Sequence, residues 1–169
     1  MVNVITLDDF ATFPDFPVPG VLFYDISPIL ADPARFRDAC EQLTPSEPVD
    51  VVVGVDARGF IFAPVVAQSL EVGMAMVRKK GKMPGELLEA DATIEYGASE
   101  LVLDPVGVEG KRVLVIDDVL ATGGTAVAVA DMLARAGATS VQFAFLMELP
   151  ALQGRAKLAD YPVHAVVEA

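Results

Sequence analysis

At 169 residues and 53% hydrophobic, the chain is long enough for one domain with a substantial core and cramped for two. Twenty-four acidic residues against 12 basic ones leave a formal charge of −12, which excludes a general nucleic-acid surface or a surface for anionic membranes. Cys40 is the only cysteine, so no internal disulfide can form and a reducing cytoplasm is the expected compartment.

The opening MVNVITLDDF has no basic n-region and no long apolar stretch, so it does not read as a signal peptide. Asp32-Pro33 predicts a helix start, with Asp as the cap and Pro at the first helical position; Phe36, Ala39, Cys40 and Leu43 then share one face, and Thr44-Pro45 ends it. Residues 50–55 are continuously apolar and β-branched after Asp50, as expected of a strand covered on both faces. A helix over 59–70 and a strand over 75–77 follow. Residues 80–92, with Gly81, Pro84 and Gly85 among charges and no clean period, read as a long mobile loop. Short strands are expected at 92–96 and 100–103, flanking a turn at Gly97. The remaining elements are a buried strand at 111–116, a helix over 124–136 stopped by Gly137, a strand at 141–147, a helix at 151–158 and a last strand at 163–167. This alternation predicts an α/β fold with a mainly parallel sheet flanked by helices, and such sheets bind ligands at the carboxyl ends of their strands. The least charged stretch, 119–130, is too short to span a bilayer, so no membrane role is expected.

Two features carry chemistry. The first is VLVIDDVLATGGTA at 113–126, where a buried strand ends on Asp117-Asp118 and runs into Ala121-Thr122-Gly123-Gly124-Thr125 at a helix start. Glycines let successive N–H groups converge on one anion, the helix N-terminus adds positive potential, and the Thr122 and Thr125 hydroxyls add donors. Two carboxylates cannot help to bind a phosphate; as acceptors they suit a pair of vicinal hydroxyls or a cation that accompanies the ligand. Cradle and acids together describe a ribose 5-phosphate. A strand-end acid that merely caps a Gly-rich turn is common for one Asp and less comfortable for two in a row. The chain has no G-x-x-x-x-G-K-[ST], and no G-x-G-x-x-G follows a strand, so triphosphate-loop and dinucleotide readings fail. The second feature is Arg78-Lys79-Lys80-Gly81-Lys82, which holds four of the 12 bases and reads either as a local anion site or as a solvated loop.

The 113–126 stretch resembles the phosphoribosyl-pyrophosphate signature of the type I phosphoribosyltransferases. PDFPVPGVLFYDISPIL (14–30), VVGVDARGFIFAPVVAQSL (52–70), VRKKGKMPGE (77–86), IEYGASEL (94–101) and AFLMELPALQGRAKL (144–158) resemble the adenine-using members of that family, in the same order and over most of the chain. The resemblance implies one phosphoribosyltransferase domain over 1–169, with an N-terminal hood over about 1–30, a core over about 31–169 and a flexible loop at about 80–100. It implies transfer from phosphoribosyl pyrophosphate to adenine with Mg²⁺, giving AMP and pyrophosphate. Asp117 and Asp118 would hold the ribose hydroxyls, with either one a possible Mg²⁺ contact, and residues 121–125 the 5-phosphate. Arg58, after an Asp56-Ala57 turn that is often cis in the family, would face pyrophosphate. Arg78, Lys79 and Lys82 would also contact pyrophosphate, reaching the neighbouring subunit's site in a homodimer. Phe23 would stack on the purine while the backbone near Leu22 and Tyr24 reads its edge, and Glu95 would be the acid/base group. Tyr24 stands where many relatives carry Arg, and 43–50 is shorter than usual. His164 and Cys40 receive no role. A transferase for hypoxanthine, guanine or xanthine would call for a Lys or Arg at the 6-oxo group, and the hood match contains none. A non-catalytic phosphoribosyl-pyrophosphate sensor would usually carry a DNA-binding segment and a basic surface.

Overall fold

The computed structural model describes residues 3–94 and 97–169. The N-terminal segment folds into a small antiparallel hairpin, β1 (Ala11–Pro14) on β2 (Leu22–Asp25), which is not hydrogen-bonded into the main sheet. Its connection is tied by Gly20 N–H donating to Asp15 Oδ1 at 2.7 Å and Phe16 N–H donating to the Val21 carbonyl at 3.2 Å. Two helices follow, α1 (Ser27–Ala31) and α2 (Pro33–Leu43). The Asp32 carboxylate caps α2 as expected, accepting from Ala34 N–H at 2.8 Å and Arg35 N–H at 3.1 Å. The buried face of α2 carries the expected Ala39, Cys40 and Leu43, and also Asp38. Asp38 is fully covered yet satisfied, because it pairs with Arg37 at 2.7 Å and accepts from the Asn3 backbone and side-chain amides.

The main sheet is built from β3 (Val51–Val55), β4 (Gly73–Lys79), β5 (Leu88–Ile94), β6 (Gly97–Leu103), β7 (Arg112–Leu120), β8 (Ser140–Glu148) and β9 (Val163–Glu168), in the order β5-β6-β4-β3-β7-β8-β9. Strands β4, β3, β7, β8 and β9 run parallel, and β5-β6 adds an antiparallel hairpin at one edge. Helix α3 (Gly59–Ser69) joins β3 to β4, and α4 (Gly124–Arg135) joins β7 to β8. The apolar strands feed two cores. Val52, Leu114, Ile116 and Leu146 pack with α1, α2 and α3 on one face, while Val51, Val53, Val113, Val115, Phe143 and Phe145 pack with α4 on the other. This is why β3 shows no polar alternation: both of its faces are buried.

Three expectations need correction. The loop expected over 80–92 is a loop only as far as residue 87, because 88–94 pairs residue for residue with 97–103. Alternation of Leu88, Ala90 and Ala92 toward the core with Glu89, Asp91 and Thr93 outward is the strand period that the charges disguised. Gly97 accordingly opens β6 instead of sitting in a turn. Second, the strand expected to stop at Ile116 continues to Leu120, so both acids lie within it. Third, the helix expected at 151–158 is two 3₁₀ turns, Pro150–Leu152 and Gly154–Leu158, separated by Gln153 at φ 55°, which an α-helix cannot accommodate.

Replacing Asp32 with Ala removes the two N-terminal acceptor contacts of α2 and leaves its buried face intact. Thermal unfolding of Asp32→Ala should show a loss of about 1 kcal/mol, read as a Tm lower by about 2–4 °C for a chain of this size.

Candidate active site

The chain leaves β3 toward β4 on one side and later places β7 on the other side of β3, so the sheet has its topological switch between β3 and β7. A crevice at the carboxyl ends of two such strands is the default ligand position in an open α/β sheet. The segments after both strands point functional groups into it. Beyond β3 comes the Asp56-Ala57 turn, whose peptide is cis, then Arg58 and the start of α3. Gly59 is needed there: a Cβ at this position would overlap the Ile116 carbonyl and sit 3.3 Å from Asp117 Cα. Only a glycine lets α3 begin this close to the acids.

Strand β7 reaches far enough to carry the acids because its pairing with β8 continues through Leu120↔Glu148. Asp118 is 6% exposed and Asp117 half-buried. Asp117 Oδ1 accepts from the Asp118 N–H at 2.9 Å, and Asp118 Oδ2 lies 2.8 Å from Arg58 Nε. The contact is ionic without hydrogen-bond geometry, so this buried oxygen keeps an open acceptor position. After Leu120 the chain turns through 121–123, with Gly123 at φ 77° as the residue before α4. The first amides of α4 have no intrahelical acceptor, and the turn that carries them opens on the crevice.

The hood closes the other side. Phe16, Leu22, Phe23 and Tyr24 line the same cavity of about 360 Å³ as Arg58, Asp117, Asp118 and residues 121–125. Phe16 and Phe23 meet edge-on at 5.1 Å, and the Arg58 guanidinium lies 5.8 Å from the Phe23 ring. Arg58 therefore touches the acids and the hood at once. Apolar walls come from Phe145, Met147 and Leu149. Sequence patterning does not single out Phe16 or these wall residues; the repeated Phe-Pro of FPDFP (13–17) is the available signal for Phe16, and none marks the walls as site residues.

The basic cluster divides. Arg78 leans toward the 56–57 turn, 3.7 Å from Asp56, with Nη1 donating to the Lys82 carbonyl at 3.1 Å and the guanidinium 5.9 Å from the Phe60 ring. Lys80 pairs with Glu89 at 2.8 Å and Glu100 at 3.7 Å across the hairpin. Lys79 and Lys82 are exposed, and none of Arg78, Lys79 and Lys82 lines the cavity. Glu95 lies outside the described residues. Among the described residues, no cluster of three or more His, Cys, Asp or Glu is placed to hold a metal ion, and no helix is long and apolar enough to cross a membrane.

Comparison with known proteins decides the family. Residues 29–166 match the phosphoribosyl transferase domain. The human adenine phosphoribosyltransferase is 45% identical over 164 residues, covering 93% of this chain and 91% of that protein. The chain belongs to the adenine phosphoribosyltransferase family. The Rhodothermus marinus member superposes with a TM-score of 0.87 at 42% identity, covering 96% of this chain and 95% of that one. The Saccharomyces cerevisiae member, solved with adenine and an imino-altritol bisphosphate, gives 0.88 at 35% identity over 95% and 96% of the two chains.

Within this family site the acids are the electrostatic problem. Burial and the neighbouring Asp118 carboxylate push the Asp117 pKa well above the ordinary carboxylate range. Burial also raises Asp118, against the pull of Arg58. Tyr24 packs edge-on against Phe10 at 6.4 Å and an 89° interplanar angle. Its side chain thus joins the hood to the core face of α1–α3.

A carboxyl group that holds its proton more tightly folded than unfolded destabilises the fold when ionised; that loss is recovered as the pH falls through the raised pKa toward the unfolded value. Asp117→Asn keeps the oxygen that accepts from Asp118 N–H and removes the charge. The ligand-free variant should melt higher than wild type at neutral pH, and the difference should shrink as the pH is lowered. An equal or lower Tm at pH 7 would contradict this account of the pair.

Proposed function

We propose that this protein transfers the 5-phosphoribosyl group of phosphoribosyl pyrophosphate to adenine, releasing pyrophosphate and forming AMP. The observation that carries the reading is that one cavity joins a Gly-Thr turn at a helix start, a pair of carboxylates of which Asp118 is buried, and an aromatic hood, in a member of this family. Residues 121–125 bind the 5-phosphate through backbone N–H groups and the Thr122 and Thr125 hydroxyls. Asp117 and Asp118 accept from the ribose hydroxyls, which gives the open Asp118 oxygen a partner and offsets the desolvation of both acids. Phe23 stacks on adenine, and the Leu22 and Tyr24 backbone reads its edge. A ring nitrogen of adenine attacks the anomeric carbon as the bond to pyrophosphate breaks; its proton leaves to Glu95 or solvent, and a positioned Glu contributes roughly 10²–10⁴-fold.

Arg58, Arg78, Lys79 and Lys82 neutralise the charge that collects on the leaving pyrophosphate. Asp117 or Asp118 would also suit a hard cation such as Mg²⁺ that arrives on the substrate's phosphates. Such an ion supplies positive charge to the leaving group. We read the protein as a homodimer, because Lys79 and Lys82 are exposed and do not line their own cavity, which leaves them available to a partner's.

The test is pyrophosphate release from phosphoribosyl pyrophosphate and Mg²⁺ with adenine, hypoxanthine, guanine and xanthine supplied separately. Turnover is expected with adenine and not with the oxo-purines. Asp118→Asn should raise KM for phosphoribosyl pyrophosphate by about 10–100-fold, the equivalent of ~1.5–3 kcal/mol for a hydrogen bond to a charged group. Turnover with an oxo-purine alone would overturn the reading of the hood. Mixing Asp118→Asn subunits with Lys79→Ala/Lys82→Ala subunits tests the shared site: at phosphoribosyl pyrophosphate below the KM of either variant the hybrids should exceed the sum of the parents' rates, and merely additive rates would exclude it.

A further inference from the structure

Apart from the cavity walls Phe145, Met147 and Leu149, the stretch AFLMELPALQGRAKL has no role in the chemistry above, yet it contains a buried acid, Glu148, 4% exposed at the last position of β8. Glu148 lies beside Leu120, the residue immediately before the phosphate turn. Its carboxylate accepts from Arg155 Nε at 3.0 Å (Oε1) and 2.9 Å (Oε2), and from Arg155 Nη2, while Arg155 Nη1 donates to the Val163 carbonyl at 2.8 Å. One guanidinium thus holds the end of β8 and the start of β9 together.

Arg155 is joined directly to Gly154, and Gly154 is where this segment meets the turn. A Cβ on Gly123 would lie 2.7 Å from the Gly154 carbonyl oxygen, and a Cβ on Gly154 would lie 2.9 Å from Gly123 N and overlap the Ala121 carbonyl. The two glycine backbones are stacked with no room for a side chain. Leu149 N–H donates to the Leu120 carbonyl at 2.9 Å at one end of the segment, and Leu158 is buried in the α4 core at the other. Between those anchors the Glu148–Arg155 pair sets where the Gly154 backbone sits.

We infer that Glu148, Gly154 and Arg155 are positioning residues for the phosphate turn: the ion pair clamps the Gly154 backbone against residues 121–123 and so holds the turn in its anion-binding shape. The inference rests on the reading that this turn binds the phosphate of phosphoribosyl pyrophosphate. A turn that must converge several N–H groups on one phosphate loses affinity when its support moves by a fraction of an ångström, whereas the hood, on the other side of the cavity, does not depend on Gly154.

Steady-state kinetics and calorimetric binding of phosphoribosyl pyrophosphate to wild type, Arg155→Met, Arg155→Lys and Gly154→Ala provide the test. Arg155→Met should raise KM and Kd for phosphoribosyl pyrophosphate by about tenfold or more, with KM for adenine unchanged. Arg155→Lys should recover part of the loss, because it keeps the charge but not the bidentate fork. Gly154→Ala should show the same selective rise without touching the buried charge, so the test stands even if Arg155→Met folds poorly. Unchanged affinity for phosphoribosyl pyrophosphate in folded Arg155→Met and Gly154→Ala would overturn the inference alone, as would equal rises in both KM values. Wild type that does not bind phosphoribosyl pyrophosphate would overturn the functional reading and the inference with it.

Discussion

Two carboxylates side by side at the end of a buried strand repel each other and lose hydration, and the neighbouring elements are arranged around that penalty. Continued pairing of β7 with β8 carries Asp117 and Asp118 past the core to the mouth of the crevice. The close start of α3, permitted by Gly59, brings Arg58 to 2.8 Å from Asp118. Part of the penalty is still uncompensated without ligand, since burial keeps the Asp117 carboxyl well above its ordinary pKa. Destabilised polar groups of this kind are the expected signature of a site whose partners arrive with the substrate.

Arg58 links the two halves of the cavity. Its guanidinium lies against Phe23 of the hood while Nε faces Asp118. The hood is a two-stranded hairpin outside the main sheet, and such a hairpin needs packing from elsewhere to persist. Arg58 provides one contact and the Tyr24–Phe10 pair another. Tyr24 therefore helps to anchor the hood through its ring, while other residues hold the acids and the turn.

The strongly acidic composition becomes local in the structure. Lys80 bridges Glu89 and Glu100 within the β5-β6 hairpin, Arg135 donates to the Glu89 carbonyl at 2.8 Å and ties that hairpin to α4, and Arg155 neutralises Glu148 behind the phosphate turn. These three bases each meet an acid or a backbone oxygen beside the cavity's supporting elements. Exposed pairs such as Lys80–Glu89 contribute little to stability by themselves; their effect here is to fix the position of the hairpin edge.

Local signals made much of this legible in the amino-acid sequence. The Asp32-Pro33 start of α2, the doubly buried β3, the Gly137 stop of α4 and the acid pair running into a Gly-Thr turn depend on short-range chemistry: caps, period and backbone freedom act within a few residues. What lay beyond reach depended on pairing partners distant in the chain. The charged run at 88–94 is a strand because 97–103 lies beside it, β7 extends to Leu120 because β8 does, and residues 150–158 break into two turns where Gln153 takes φ 55° and Gly154 packs against residues 121–123. Residue types and spacing marked the acid pair and the Gly-Thr turn after it as one candidate site, and the resemblance of the surrounding stretches pointed to the family. Tertiary structure alone decided that Arg58 joins acids to hood, that Arg78 turns toward Asp56 while Lys80 serves the hairpin, and that a buried Glu148–Arg155 pair stands behind the turn. The physical reason is that burial and ion pairing are properties of a place in the fold, and a place is defined only when strands far apart in sequence come side by side.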